Sequence, residues 1–191
     1  MTRAAHRPEF VRRHAIAALV LLCLFPSVAA AQPGRATAQG SASAVIVEPL
    51  AVTAITDLQF GAVAVSDLQP GTVTVPAGSG TASYTGGARA ACSEQNDCAA
   101  GAALFTVRGE QGRDYDILLP AQVTAAARGG GGALFVTGLH SQSRNRPGDN
   151  LMGKLDMNGS DDVRIGGTLE IPAGSEPGTY SAQVPIVVSY G

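Results

Sequence analysis

The chain has 191 residues and a formal net charge of −2. That is the length of one domain with room for a tail, and the charge lacks the basic excess of a nucleic-acid-binding surface. The hydrophobic share of 45% against 15% charged residues argues against disorder. The 24 glycines and 11 prolines argue against a helical bundle, since each glycine costs a helix interior about 1 kcal/mol and each proline about 3.

The first element is predicted to leave the protein. Arg3, Arg7, Arg12 and Arg13 form a basic head, and Ala15–Phe25 is an uncharged, mostly apolar run. Pro26 and Ser27 break it, and Ala29-Ala30-Ala31 supplies a small-residue cleavage pattern before Gln32. This is the layout of a secretory signal peptide over 1–31. A spanning helix, the alternative, needs about 20 apolar residues, more than this run contains. Taking the four arginines and Glu9 away leaves nine basic and fourteen acidic side chains, a net charge of −5. Such a surface has no pull toward phosphate backbones or anionic lipids, so neither nucleic acid nor membrane insertion is expected of the mature chain. Its destination is the periplasm, the cell surface or the medium.

Residues 32–43 (QPGRATAQGSAS) are small and polar, a flexible leader. From Ala44 to Gly191 the sequence alternates with a period of two, the mark of half-buried strands. Val45-Ile46-Val47 runs to Pro49, followed by Leu50–Ile55. Leu58 and Phe60 precede Gly61, then Val63 and Val65. Gly71–Val75 alternates cleanly before Pro76. Cys92 and Cys98 are the thiols that remain after Cys23 leaves with the signal. An even count in an oxidising compartment predicts one disulfide, worth about 2–3 kcal/mol for so small a loop. A metal pair is the alternative, but two thiols without a nearby histidine fall short of four ligands.

Ala103–Val107 and Tyr115–Leu119 flank Glu110-Gln111-Gly112, which reads as a hairpin. Ala121–Arg128 is compatible with one helical turn, ended by the glycines from Gly129, and Gly132–Thr137 resumes as strand. Leu151–Met157 and Val163–Ile171 are expected to pair around Asn158-Gly159, a strong hairpin signal. Eight to ten short strands punctuated by Gly, Pro, Asn and Asp indicate an all-β sandwich. Phe60, Phe105, Phe135 and some of the tyrosines are its expected core aromatics.

Chemistry-bearing residues are sparse. His140 beside Ser141 falls in a polar stretch read as a loop, without the strand–turn–helix context of a nucleophile. Asp114 and Asp116, two apart on a strand, share a face that reads as outward and solvated. Asp156–Asp162 (DMNGSDD) offers several oxygens, the ligands calcium takes; the same residues also make a turn. Arg128-Gly129-Gly130-Gly131-Gly132 lacks the Lys-Ser/Thr of a phosphate loop and reads as a connector. No catalytic residue, cofactor or metal is expected.

The last fourteen residues are the most informative. Tyr180, Ala182, Val184, Ile186, Val188 and Tyr190 occupy every even position, with Ser181, Gln183, Pro185, Val187, Ser189 and Gly191 between them. That is the pattern of one strand with an apolar face. Pro185 places part of it at a sheet edge, since proline cannot donate to a ladder.

This ending resembles that of chaperone–usher pilus subunits, which close on an alternating strand with a glycine fourteen from the end and a penultimate tyrosine; here these are Gly178 and Tyr190. Val47-Glu48-Pro49-Leu50, Leu58-Gln59-Phe60-Gly61, Gly71–Val75, Ile165-Gly166-Gly167-Thr168-Leu169 and Pro177-Gly178-Thr179-Tyr180 are similar to motifs of a bacterial family of secreted, pilin-like domains of unknown function. The resemblance implies an immunoglobulin-like antiparallel β-sandwich. It also implies assembly with other copies or related subunits by strand addition, and handling by a periplasmic chaperone. Val45, Val47, Gly178, Tyr180, Val184, Ile186, Val188 and Tyr190 are the residues it points to for strand pairing. The expected function is a non-enzymatic structural or adhesive subunit of a fimbria or surface coat. The alternative is a self-complete sandwich acting as a monomeric binding module, for carbohydrate for example, through loops at one end.

Overall fold

The protein is described by a computed structural model covering Gly34 and residues 36–92, 99–148 and 151–191. The expected signal peptide and Cys98 lie outside the described residues. Residues 36–43 are exposed and carry no regular structure. Ala44–Gly191 forms a compact unit of its own.

The alternating stretches of the sequence become strands, and among the described residues there is no helix. In chain order they are β1 (Ala51–Thr56), β2 (Val63–Ala64), β3 (Gly71–Val75), β4 (Ser83–Gly86), β5 (Arg89–Ala90), β6 (Ala103–Arg108), β7 (Asp114–Leu118), β8 (Gln122–Ala127), β9 (Ala133–Ser143), β10 (Met152–Lys154), β11 (Ser160–Ile171), β12 (Tyr180–Ser181) and β13 (Val187–Tyr190). Ala121–Arg128 is therefore strand, not helical turn. Its Thr124 and Val123 suit a pleated surface, and five β8 residues pair with β9. The RGGGG run is the loop of that hairpin, with Gly129–Gly132 all at positive φ, the region that only glycine enters freely.

The large sheet runs β1-β6-β11-β9-β8-β12, with β3 joined to β11 and β4 to β3; the small one runs β10-β7-β13; and β2 pairs with β5. Every ladder is antiparallel. The inward faces build two apolar clusters. One packs Ala103, Val107, Val163 and Ile165 of the large sheet against Tyr115 and Ile117 of the small sheet, with Leu155 between. The other gathers Val73, Ala125, Leu134, Val136, Leu169 and Ile171 under Leu58, Phe60, Val63 and Val65. The result is a curled all-β sandwich. Phe60 and Phe105 flank these clusters, whereas Phe135 faces outward and is 39% exposed.

Two expected hairpins are arches instead. The turns form where the sequence places them, with Gly112 and Gly159 at positive φ. The Asp156 carboxylate accepts the N–H groups of Asn158 and Ser160 at 2.8 and 2.9 Å, and these bonds hold its pKa below the ordinary value. Yet β6 pairs with β1 and β11 while β7 pairs with β10 and β13, and β10 pairs with β7 while β11 pairs with β6, β9 and β3. Turn chemistry reverses the chain; the side-chain faces decide which sheet receives each arm.

Strand β11 organises both clusters. Its first half pairs with β6 and its second half with β3, and β9 runs along the other edge. The change of neighbour falls at Gly166-Gly167. A Cβ at Gly166 would collide with the Val75 carbonyl and the Ala77 amide, so only glycine lets the end of β3 approach. Near the start of β11, buried Asp161 accepts the Tyr115 hydroxyl at 2.7 Å, the Ser143 hydroxyl at 2.5 Å and the Asn145 N–H at 3.2 Å. These bonds supply the partners that a buried carboxylate requires and lock β7, β9 and β11 together. Burial, with the Asp161 hydrogen bond and charge behind it, drives the Tyr115 pKa far upward.

Two outcomes follow. Gly166→Ala lowers the urea midpoint by the equivalent of about 1–3 kcal/mol, as overpacking does. Folded Tyr115 keeps its proton above pH ~10, where an unfolded tyrosine loses it. Its contribution to stability is therefore full below that pH and falls as pH rises beyond it. Denaturation measured from pH 8 to 11 shows this alkaline loss in the native chain, and Tyr115→Phe lacks that component.

Candidate functional site

The C-terminal stretch is not one continuous strand. Tyr180 and Ser181 form β12 in the large sheet, opposite Ala127 and Ala126 of β8. Val187–Tyr190 form β13 in the small sheet, opposite Leu118–Tyr115 of β7. Between them residues 182–186 join no ladder, and Pro185, which lacks the N–H, sits in that crossing. The two-residue alternation breaks at Ala182, which is exposed, and holds elsewhere. Tyr180, Val184, Ile186, Val188 and Tyr190 are half-buried, and the odd positions are exposed. Tyr180 packs on one apolar cluster and Ile186, Val188 and Tyr190 on the other. Gly178 is exposed just before β12.

Tyr190 is tied in three directions. Its hydroxyl donates to the Glu48 carbonyl at 2.7 Å and accepts the Glu110 N–H at 2.7 Å, and Arg113 lies over its ring at 4.7 Å. Gly109 leaves the space that the hydroxyl fills. The tyrosine thus joins the end of β13, the β6–β7 arch and the approach to β1. Upstream of Glu48 the chain projects from this point, with Val45 at 89%, Ile46 at 96% and Val47 at 41% exposure and no strand.

Near this clamp lie two strands at sheet edges. Among the described residues β1 has a ladder only with β6, and β13 only with β7. Leu50 and Val52 from the β1 side and Ile186, Val188 and Tyr190 from the β13 side pack on the same cluster, all half-buried. The opposite side of the small sheet is closed by β10 lying against β9 and β11. The sandwich is therefore open along β1 and β13. There it offers backbone N–H and C=O groups with a half-covered apolar lining, the arrangement a further strand would complete.

The matching family model spans residues 50–190, from the start of that lining to the clamping tyrosine, and is described as a domain of unknown function, DUF4402. This chain belongs to the DUF4402 family. No curated protein and no solved structure matches it. The exposed leader precedes the DUF4402 domain, and both open edges lie within it.

Other singled-out residues have structural partners in the DUF4402 domain. His140 and Ser141 are on strand β9, not in a loop, because the alternation of β9 continues through them as far as Ser143. His140 Nε2 accepts the Ala77 N–H at 3.2 Å while Nδ1 lies 2.9 Å from the Gly138 carbonyl, which fixes the proton on Nδ1. Ser141, 1% exposed, accepts the Leu151 N–H at 3.0 Å. Asp114 and Asp116 share the exposed face of β7, and Asp114 pairs with Arg146 at 3.3 Å. The oxygens of 156–162 diverge: Asp156 closes the turn, Asp161 points into the core, and Asp162 takes the Thr106 hydroxyl at 3.0 Å on the opposite face. Cys92 is exposed; its expected partner lies outside the described residues.

Tyr190→Phe keeps the ring and removes the hydroxyl, leaving the Glu110 N–H without its acceptor. A loss of about 1–2 kcal/mol is expected, read in thermal or urea denaturation. Hydrogen exchange should also quicken at Glu110.

Proposed function

We propose that this DUF4402 chain is an exported, non-enzymatic structural subunit, comparable to a pilus or surface-coat component, that assembles by strand pairing. The observation that carries this is the gap between β1 and β13, two unpaired edges lining one half-covered apolar cluster. A compact monomer gains nothing from leaving such edges bare, because an open edge invites pairing. Within the larger sheets, the run β1-β6-β11-β9 and the pair β7-β13 support an immunoglobulin-like reading, in which the former stand for the ABED strands and a strand added beside β13 would complete the CFG sheet.

The strand that fills it comes from a neighbouring copy or a related subunit. The leader through Val47 is the candidate donor: it is extended in composition, exposed, and ends in three consecutive β-branched residues. Backbone hydrogen bonds give the affinity, and alternate side chains set the register. Signal-peptide export, a Cys92–Cys98 disulfide and escort by a periplasmic chaperone belong to the same reading.

The test compares residues 32–191 with 48–191, purified from the periplasm. Multimers that resist SDS without boiling, formed by the longer chain and absent from the shorter, are expected. Equal monomers with equal melting temperatures would reject strand exchange.

A further inference from the structure

The outward face of the large sheet carries a second pattern. Cross-strand registers place Thr124, Phe135, Glu170, Thr72 and Thr85 in one row across β8, β9, β11, β3 and β4. The adjacent row is Gln122, Thr137, Thr168, Thr74 and Ser83. Directly paired residues share a face, and the side chains agree. The Thr72 and Thr85 hydroxyls bond at 2.7 Å, those of Thr74 and Thr168 at 3.0 Å, and Thr137 donates to Glu170 at 2.7 Å.

Of these ten side chains six are threonine, one is charged and one is aromatic. Phe135 faces away from the core that its neighbours Leu134 and Val136 fill, and is 39% exposed. It lines a cleft of about 400 Å³ with Thr72, Thr85 and Glu170, rimmed by Pro70 and Pro172.

We propose that this face binds a neutral β-1,4-linked polysaccharide laid across the strands, with Phe135 as its stacking platform. A pyranose has an apolar C–H face and a rim of hydroxyls, which an aromatic ring set among hydroxyls and one carboxylate complements. Neither row contains Lys or Arg, so nothing there attracts an anionic chain, and Glu170 accepts sugar hydroxyls. A peptide strand would seek an edge, because the backbone of this face is already paired. Strands lie about 4.8 Å apart, close to the length of one sugar of such a chain, so the hydroxyl-bearing positions on either side of the single platform Phe135 recur nearly in step with it. The binding surface is the flat of the sheet, not loops at one end. It is independent of the β1–β13 gap.

The test is calorimetric titration of the 48–191 and 32–191 chains with cellohexaose, xylohexaose and chitohexaose. Binding to at least one is expected, weakened about tenfold or more by Phe135→Ala and several-fold by Glu170→Gln. Thr124→Arg, which sets bulk beside the platform at an exposed position, should match the loss, and Met157→Ser, at an exposed position in the Asp156 turn, should leave affinity unchanged. Melting temperatures confirm that each variant folds. No binding to any of the three by the native chain overturns the proposal, as does binding that Phe135→Ala and Thr124→Arg leave intact. A dimer sensitive to Phe135→Ala, without glycan binding, would make the face a contact between copies and likewise overturn it.

Discussion

One strand has to satisfy two cores at once. Over its twelve residues β11 gives Val163 and Ile165 to the cluster beneath the small sheet and Leu169 and Ile171 to the cluster beneath β2 and β5. Both of its edges are paired, and one edge changes partner midway. A regular strand cannot hand one edge from β6 to β3 and keep its pleat against β9 without local adjustment. Gly166-Gly167 supplies it, and the register with β9 shifts at the same place, as bulges do when a sheet bends. The curl of the large sheet, and hence the position of β1 over one cluster and β3 over the other, descends from these two residues without side chains.

The polar interior works with that constraint. Asp161 lies close to the point where β11 leaves the Asp156 turn, and its three donors come from β7, β9 and the loop after β9. An apolar contact there would hold the strands together equally well but would tolerate sliding. A carboxylate with fixed donors does not, because a shift of one residue leaves a buried charge without partners. The small sheet is thereby held in register over the large one, and β13, which hangs on β7, inherits its place from Tyr115.

Much of this was legible in the sequence, for physical reasons that differ by element. Alternation read Gly71–Val75, Ala103–Val107, Tyr115–Leu119 and Val163–Ile171 as strands because each has one buried face, and burial writes itself into a period of two. The turns at Gly112 and Asn158-Gly159 were legible as reversals, but whether a reversal stays within one sheet depends on contacts far away in sequence, and both became arches. Ala121–Arg128 was ambiguous because its alanines favour helix, a weak preference that pairing with β9 overrides. His140 was misplaced because polar neighbours resemble a loop until the strand partners are known. The terminal alternation was right in period and incomplete in topology, as Pro185 marks the crossing between sheets. The outward row through Phe135 was invisible: its members come from five strands separated by most of the chain, and a lone phenylalanine in a β pattern reads as core.

Edge and face make different demands, and the fold keeps them apart. An added strand extends the small sheet from β13 or closes it toward β1, adding backbone bonds parallel to the sheets. The threonine rows lie on the outer surface of β8, β9, β11, β3 and β4, strands whose edges are paired except at the outer side of β4. In the proposed assembly, a subunit strung to its neighbours through the first leaves the second bare, and each added copy repeats the same flat face. Weak attachment at each copy becomes strong when many copies are held on one assembly, because the second and later contacts are made at high effective concentration. The cleft beside Phe135 is open and mostly apolar, so a glycan held by one copy would be held more tightly by an array of them.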